Sequence, residues 1–234
     1  MHNIKAEITD IFSSIQGEGV FLGAKQIFVR FRRCNLACNF CDEMSNAPYK
    51  EYTSTQLMNE ILSMNKTRGP HHSVSLTGGE PLLYPEFLKI LLKLLEDENL
   101  KSYLETNGTL PGELSSVIDL VDIIAMDFKL PSSTGGKDMW KEHLEFLKIA
   151  AQKKVFVKAV VTADTTEQDM EKAADIIKKV NAKIPFILQP ATPVKTYDKI
   201  VDTEKLIKFL DVWPRHNLEN IRIIPQMHKV LNVK

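Results

Sequence analysis

The sequence predicts an α/β fold, an incomplete (β/α) barrel of about six βα units in which helices pack outside a parallel sheet. Two observations predict it. Short apolar runs rich in β-formers alternate along the chain with segments of helical period. The chemically loaded residues also fall just after those runs, where a parallel α/β fold places its active site. A doubly wound open sheet is the alternative arrangement of the same elements.

The strand-like runs lie at residues 26–31, 73–76, 102–104, 123–125, 155–161, 186–188 and 221–224. Helical period marks residues 54–64, 85–98, 141–152, 166–180 and 203–210. Pro85 stands where a first-turn proline is tolerated, and Thr165 with Gln168 suits a capping box. Residues 131–136 (PSSTGG) suggest a mobile loop able to act as a lid. With no internal repeat or long linker, residues 1–234 are expected to form one domain.

Thirty basic and thirty acidic side chains give a formal net charge of zero. No broad basic field exists to hold a nucleic-acid backbone, so nucleic acid is not an expected partner. No stretch approaches the roughly 20 apolar residues of a membrane span, and residues 1–10 are polar, so a cytoplasmic location is expected.

The three cysteines, Cys34, Cys38 and Cys41, fall within eight residues with CxxxCxxC spacing. That number and spacing do not make a disulfide framework. One short loop can instead present three thiolates to a single centre. A four-iron cluster usually takes four cysteines, and the missing fourth leaves one iron open to chelate the amino and carboxylate groups of S-adenosylmethionine (SAM). The competing reading is a structural zinc completed by His71 or His72, although zinc sites commonly use paired C-x-x-C arms, which are absent here. Asn35, Asn39 and Asp42 make the loop polar, which argues against cysteines buried as small apolar side chains.

CxxxCxxC with Phe40 before its last cysteine resembles the signature of the radical SAM superfamily, which also carries GGEP on its second strand, here Gly78-Gly79-Glu80-Pro81. Without side chains, these glycines would let backbone approach the cofactor closely. Residues 13–19 (SSIQGEG) and 225–229 (PQMHK) extend the likeness to the 7-carboxy-7-deazaguanine synthase family, in order from about Ile11 to His228.

That resemblance implies conversion of 6-carboxy-5,6,7,8-tetrahydropterin to 7-carboxy-7-deazaguanine with loss of ammonia. It also implies one 4Fe-4S cluster on Cys34, Cys38 and Cys41, SAM returned intact, magnesium, an external one-electron reductant such as flavodoxin or ferredoxin, and a homodimer. It places the pterin on Ile15, Gln16, Gly17, Arg30 and Thr77. It places SAM on Phe40, Cys41, Asp42, Gly78, Gly79, Glu105, Asp127 and Lys129. Arg30 offers a rigid fork for a carboxylate, or a strand-end ion pair. Gln16 and Glu18 could be turn residues, and His228 with Lys229 a helix-end charge pair.

Two positions depart from the family pattern. Glu43 stands where the family has Ser or Thr toward magnesium; a carboxylate remains a hard oxygen ligand but changes the local charge by a full unit. Asp127-Phe128-Lys129 replaces Ser-Pro-Lys and is similar to the Asp-x-Lys of radical activating enzymes. Two apart on a strand, Asp127 and Lys129 share a face, so a salt bridge between them is also expected. A glycyl-radical-activating protein acting on a polypeptide and a non-catalytic iron-sulfur electron carrier are the alternative functions.

Overall fold

The computed structural model describes residues 4–42 and 47–234, side chains at 212 and 213 excepted. Its strands are β1 (Lys5–Ile15), β2 (Lys25–Phe31), β3 (Lys50–Thr53), β4 (Ser73–Gly78), β5 (Ser102–Thr106), β6 (Ile123–Phe128), β7 (Lys154–Val161), β8 (Phe186–Pro190) and β9 (Ile221–Ile223). Its helices are α1 (Ser54–Arg68), α2 (Pro85–Asp97), α3 (Pro111–Val117), α4 (Pro131–Thr134), α5 (Trp140–Ala150), α6 (Glu167–Val180), α7 (Thr203–Leu210), α8 (Val212–His216) and α9 (Met227–Val230).

The strands form one sheet in the order β3-β1-β2-β4-β5-β6-β7-β8-β9. β1 pairs antiparallel with β2 and β3, and the six remaining pairings, from β2–β4 to β8–β9, are parallel. From β2 onward the order follows the chain without reversal. A doubly wound sheet must reverse at its switch point, so the order excludes that alternative. Successive crossovers of one hand put every connecting helix on the same face, and the sheet ends in two unpaired edges as an open, partial barrel.

Side-chain alternation along each strand then sorts the two faces. Ile27, Val29 and Phe31 of β2, Val74 and Leu76 of β4, Ile124, Met126 and Phe128 of β6, and Val157, Ala159 and Val161 of β7 join the helix-side core. The intervening positions face inward. Nearest the starts of β5 to β8 they are apolar: Tyr103, Ile123, Ala125, Phe156 and Ile187 close the floor with Val20 and Phe21, whereas β2 and β4 place the buried polar Gln26, Ser73 and Ser75 inward. The short turn Gly19–Phe21 enters this floor, and Phe21 meets Tyr103 edge-on at 5.6 Å. Gly19 has φ +65, and a Cβ there would lie 2.4 Å from the Phe156 ring, so no other residue fits. Nearer the strand ends the inward positions turn polar: Arg30, Thr77, Glu105, Asp127, Lys158 and Gln189.

Several local expectations change. β1 and β3 were not expected: β1 is half-exposed along most of its length and carries polar residues among its apolar ones, so it shows no buried run. Helix α3 is also additional; at seven residues it is too short to show a period. Thr166, not Thr165, caps α6, accepting the Asp169 N–H at 3.3 Å, while the Thr165 hydroxyl accepts the Thr162 N–H at 2.8 Å. A true capping box occurs at Thr53 and Gln56 of α1. The PSSTGG segment is not a plain loop: its first four residues form α4, Ser133 and Thr134 are buried, and the Thr134 carbonyl accepts the Asn39 N–H at 3.1 Å. No described helix is long and apolar enough to cross a membrane.

Leu91 on α2 is fully buried in the helix-side core. Leu91→Ala should lower the free energy of unfolding by about 3 kcal/mol, read as a reduced urea midpoint at unchanged slope.

Candidate active site

The cysteine loop leaves the end of β2 with Cys34 and Cys41 exposed and Cys38 half-buried. The Cys41 N–H donates to the Cys38 carbonyl at 3.1 Å, and the Leu36 N–H points at Cys34 Sγ from 3.5 Å. Two neighbouring segments brace its middle: the Thr196 hydroxyl donates to the Asn39 carbonyl at 2.8 Å, and Gly135 packs so close that a Cβ would meet Asn39 at 2.3 Å. Three accessible thiols on one braced loop suit a cluster that draws three protein ligands.

His71 and His72 cannot complete a zinc site with them. They precede β4, which runs parallel to β2 in the register Gln26↔Ser73 to Phe31↔Gly78, so they lie at the opposite strand end. Six residues of strand separate the two ends by about 20 Å. His71 is occupied by Ser13 at 2.8 Å and Asn65 at 2.9 Å.

GGEP ends β4 beside the stem of this loop. Gly78 has φ +108, and a Cβ there would lie 2.3 Å from the Phe31 carbonyl oxygen; at Gly79 it would lie 2.1 Å from that of Arg33. The glycines are thus required by the loop's own backbone, not only by room for a ligand. The adjoining N–H groups bind the loop's stem: Gly79 donates to Phe31 O and Glu80 to Arg33 O, each at 2.7 Å. The Glu80 side chain is fully buried and accepts from the N–H groups of Leu82 (3.0 Å) and Asn107 (2.8 Å) and from the Thr106 hydroxyl (3.0 Å). Burial pushes its carboxyl up to about 7 in spite of these donors. Asn107, so held, donates to Asn35 at 2.8 Å and reaches 3.9 Å from Cys34 Sγ.

Below the loop the sheet interior opens into a cavity of about 600 Å³. One wall is a neutral-to-acidic group: Gln16 donates to Gln26 and Glu105, each at 3.0 Å, and Glu105 also accepts from Ser75 (2.8 Å) and Thr77 (3.0 Å). Arg30 lines the same wall, its guanidinium 5.9 Å from the Phe12 ring centroid. The other wall is an ion-pair chain. Lys158 pairs with Glu18 and lies 3.5 Å from Asp127, and Lys129 reaches Asp127 at 2.9 Å and the Phe40 ring centroid at 5.4 Å. Burial opposes charge on Glu18, yet Lys158 and a Gln226 donor at 2.8 Å hold its carboxyl at about 2. Burial likewise opposes charge on Lys158, but Glu18 and Asp127 keep it well above the usual lysine range. Two buried acceptors in this wall, Asp127 Oδ1 and Gln189 Oε1, have no partner among the described residues, as expected of atoms awaiting a ligand's donors.

The chain's end completes the rim. The Met227 N–H donates to Gly17 O at 2.9 Å, His228 packs where a Gly17 Cβ would lie 2.2 Å from its Nδ1, and Lys229 pairs with Asp42 at 2.6 Å. Residues after β9 thereby cross to the turn after β1 and to the cysteine loop.

The radical SAM superfamily model matches residues 28–180. Along nearly its whole length the chain is similar to the 7-carboxy-7-deazaguanine synthase of Geobacter sulfurreducens, 38% identical with 97% of each chain covered. The chain belongs to the 7-carboxy-7-deazaguanine synthase family of radical SAM enzymes. The synthase of Methanothermobacter thermautotrophicus is 30% identical over 99% of each chain. In fold the chain is similar to the crystal structure of QueE from Escherichia coli, with a TM-score of 0.64 at 19% identity over 96% of this chain and 95% of that one. Membership in a family of enzymes sets aside the activating-protein and electron-carrier alternatives, and a radical SAM family carries a 4Fe-4S cluster and SAM.

The family's expected site residues converge on this one cavity. Ile15, Gln16, Gly17, Arg30 and Thr77 share it with Phe40, Cys41, Asp42, Gly78, Gly79, Glu105, Asp127 and Lys129. Glu105, expected beside SAM, is instead hydrogen-bonded to Gln16 and Thr77, two of the residues expected at the pterin. Glu43 lies outside the described residues. Sequence reasoning missed Lys158 and gave Glu18 no partner, because a strand lysine and a turn glutamate 140 positions apart show no pattern. Period-two counting along β7 would have turned Lys158 inward with Phe156.

Glu18→Gln tests the ion-pair wall. A carboxyl held at about 2 against an ordinary 4.5 contributes stability that is full above pH 4.5 and fades as pH falls toward 2. In urea unfolding the wild type should exceed the variant by about 3 kcal/mol at pH 7, with the gap closing below pH 4.5. A gap that stays constant down to pH 3 would contradict the pairing.

Proposed function

We propose that the protein converts 6-carboxy-5,6,7,8-tetrahydropterin to 7-carboxy-7-deazaguanine and ammonia. The observation that carries this reading is a single cavity in which Gln16, Gly17, Arg30 and Thr77 stand together with the cysteine loop. The near-full-length relatives named for this product support the choice of substrate. Substrate and products balance without a net oxidant, which agrees with a cofactor returned intact.

Cys34, Cys38 and Cys41 would hold the cluster, with Phe40, Asp42, Gly78, Gly79, Asp127 and Lys129 around SAM. When bound, cluster and SAM together supply a 5′-deoxyadenosyl radical that takes hydrogen from the substrate. The chain's own part is placement and exclusion. Arg30 pairs its fork with the pterin carboxylate, and Gln16 and Glu105 meet the polar ring edge. Asp127 Oδ1 and Gln189 Oε1 accept from the ligand beside Lys129. The aromatic floor and the chain's end keep water from the reacting atoms.

Magnesium belongs to the same reading through the Glu43 carboxylate, an oxygen ligand of the right hardness. An external one-electron reductant such as flavodoxin or ferredoxin, a homodimer and a cytoplasmic location complete it.

Anaerobic reconstitution with iron and sulfide, followed by SAM, dithionite, magnesium and the carboxytetrahydropterin, tests the proposal by mass spectrometry. 7-Carboxy-7-deazaguanine should form with SAM unconsumed. Formation of 5′-deoxyadenosine alone would keep the radical chemistry and overturn the substrate.

A further inference from the structure

His143 on α5 is wholly buried, yet no step above uses it. Its ring stacks on Phe128 with centroids 4.8 Å apart and planes 11° from parallel, and Trp140 meets it edge-on at 6.1 Å. Nε2 stands 3.2 Å from the Asn107 carbonyl oxygen and 3.4 Å from the Lys129 backbone nitrogen, while Nδ1 has no partner among the described residues. Burial pushes the imidazole down to about 4, so near neutral pH the ring is uncharged and carries one N–H. Nε2 therefore donates to the Asn107 carbonyl in one tautomer and accepts from the Lys129 N–H in the other.

The two backbone groups facing that nitrogen belong to two residues that reach the cysteine loop from the ends of different strands, β5 and β6. Asn107 sends its side-chain amide to Asn35 at 2.8 Å and toward Cys34 Sγ at 3.9 Å. Lys129 sends its ammonium to Asp127 at 2.9 Å and over the Phe40 ring. The loop between them lies close to the imidazole: a Cβ on Gly108 would come within 3.4 Å of His143 Cδ2 and 2.5 Å of Met126. Phe128 fixes the ring plane, so Nε2 is aimed rather than merely accommodated.

We propose that His143 is a positioning residue for the cluster, its Nε2 engaging the Asn107 backbone in one tautomer and the Lys129 backbone in the other, so that the Asn107 amide meets Cys34 and the Lys129 ammonium covers Phe40. An N–H aimed at a cluster-bound sulfur stabilises the reduced state, in which negative charge on sulfur grows. Loss of that aim lowers the reduction potential. The inference rests on the cluster-and-SAM reading of the site and not on the pterin.

The test uses reconstituted holoenzyme with His143→Phe, which keeps the stack and removes both nitrogens, and His143→Gln, which returns a polar group at about the reach of Nε2. The cluster's midpoint potential, 5′-deoxyadenosine formation without pterin, and the melting temperature are read together. His143→Phe should melt a few degrees lower for the one buried hydrogen bond it loses, show a more negative potential and cleave SAM about tenfold more slowly at a temperature where it is fully folded, with His143→Gln recovering most of the potential and the rate. A His143→Phe enzyme with wild-type potential and cleavage overturns the inference. So does a loss that follows a fall in melting temperature and is not recovered by His143→Gln, since packing alone would then explain it. Wild-type enzyme that holds a cluster and cleaves no SAM overturns the site reading instead, and the potentials still decide the role of His143.

Discussion

The fully buried Glu80 carboxylate is the constraint on which the rest of the site depends. Its backbone N–H holds the stem of the cysteine loop at Arg33, and its carboxylate oxygens gather the backbone of Leu82 and Asn107 with the Thr106 hydroxyl. Three strand ends that are far apart in sequence are thereby tied at one point. A buried carboxylate is costly, and its burial pushes the carboxyl up to about 7, but removing it would orphan several buried donors at about 1–3 kcal/mol each. Apolar packing could not substitute, because hydrophobic contact lacks the direction needed to aim Asn107 at Cys34.

Everything below that knot follows from alternation along parallel strands. One set of side chains buries itself under the helices, and the other faces a space that is apolar at the starts of β5 to β8 and polar or charged at the strand ends. A radical site needs both conditions, a dry floor and polar anchors for two ligands. Lys158 joins the turn after β1 to the end of β6, since it pairs with Glu18 and approaches Asp127 beside Lys129. Glu18, Lys158, Asp127 and Lys129 thus share one electrostatic network, and a change at one alters the field at the others.

What was legible in the sequence was what is local. CxxxCxxC, GGEP and the doubly buried strands carry their meaning within a few residues, and the parallel order with about six crossovers followed from their alternation. β1 was hidden because a strand that is only half-buried along most of its length needs no continuous apolar run. The roles of Gly78 and Gly79 were read toward the cofactor, while the closest atoms to them belong to Phe31 and Arg33, a tertiary neighbour that no motif encodes. Thr165 and Thr166 are interchangeable as caps on paper, and the demand of Thr162 for an acceptor decided between them. His143 offered no signal at all: a lone histidine in an amphipathic helix is indistinguishable from an ordinary core residue until Asn107 and Lys129 are seen beside it.

The central claim is that three thiolates on one loop leave an iron free for SAM at the mouth of the cavity. Electron paramagnetic resonance of the reduced, reconstituted cluster tests it most directly, with SAM labelled by 15N at the amino group and 17O at the carboxylate. The account predicts that saturating SAM changes the spectrum and that both labels couple to the cluster. A spectrum indifferent to SAM, or to both labels, would contradict it.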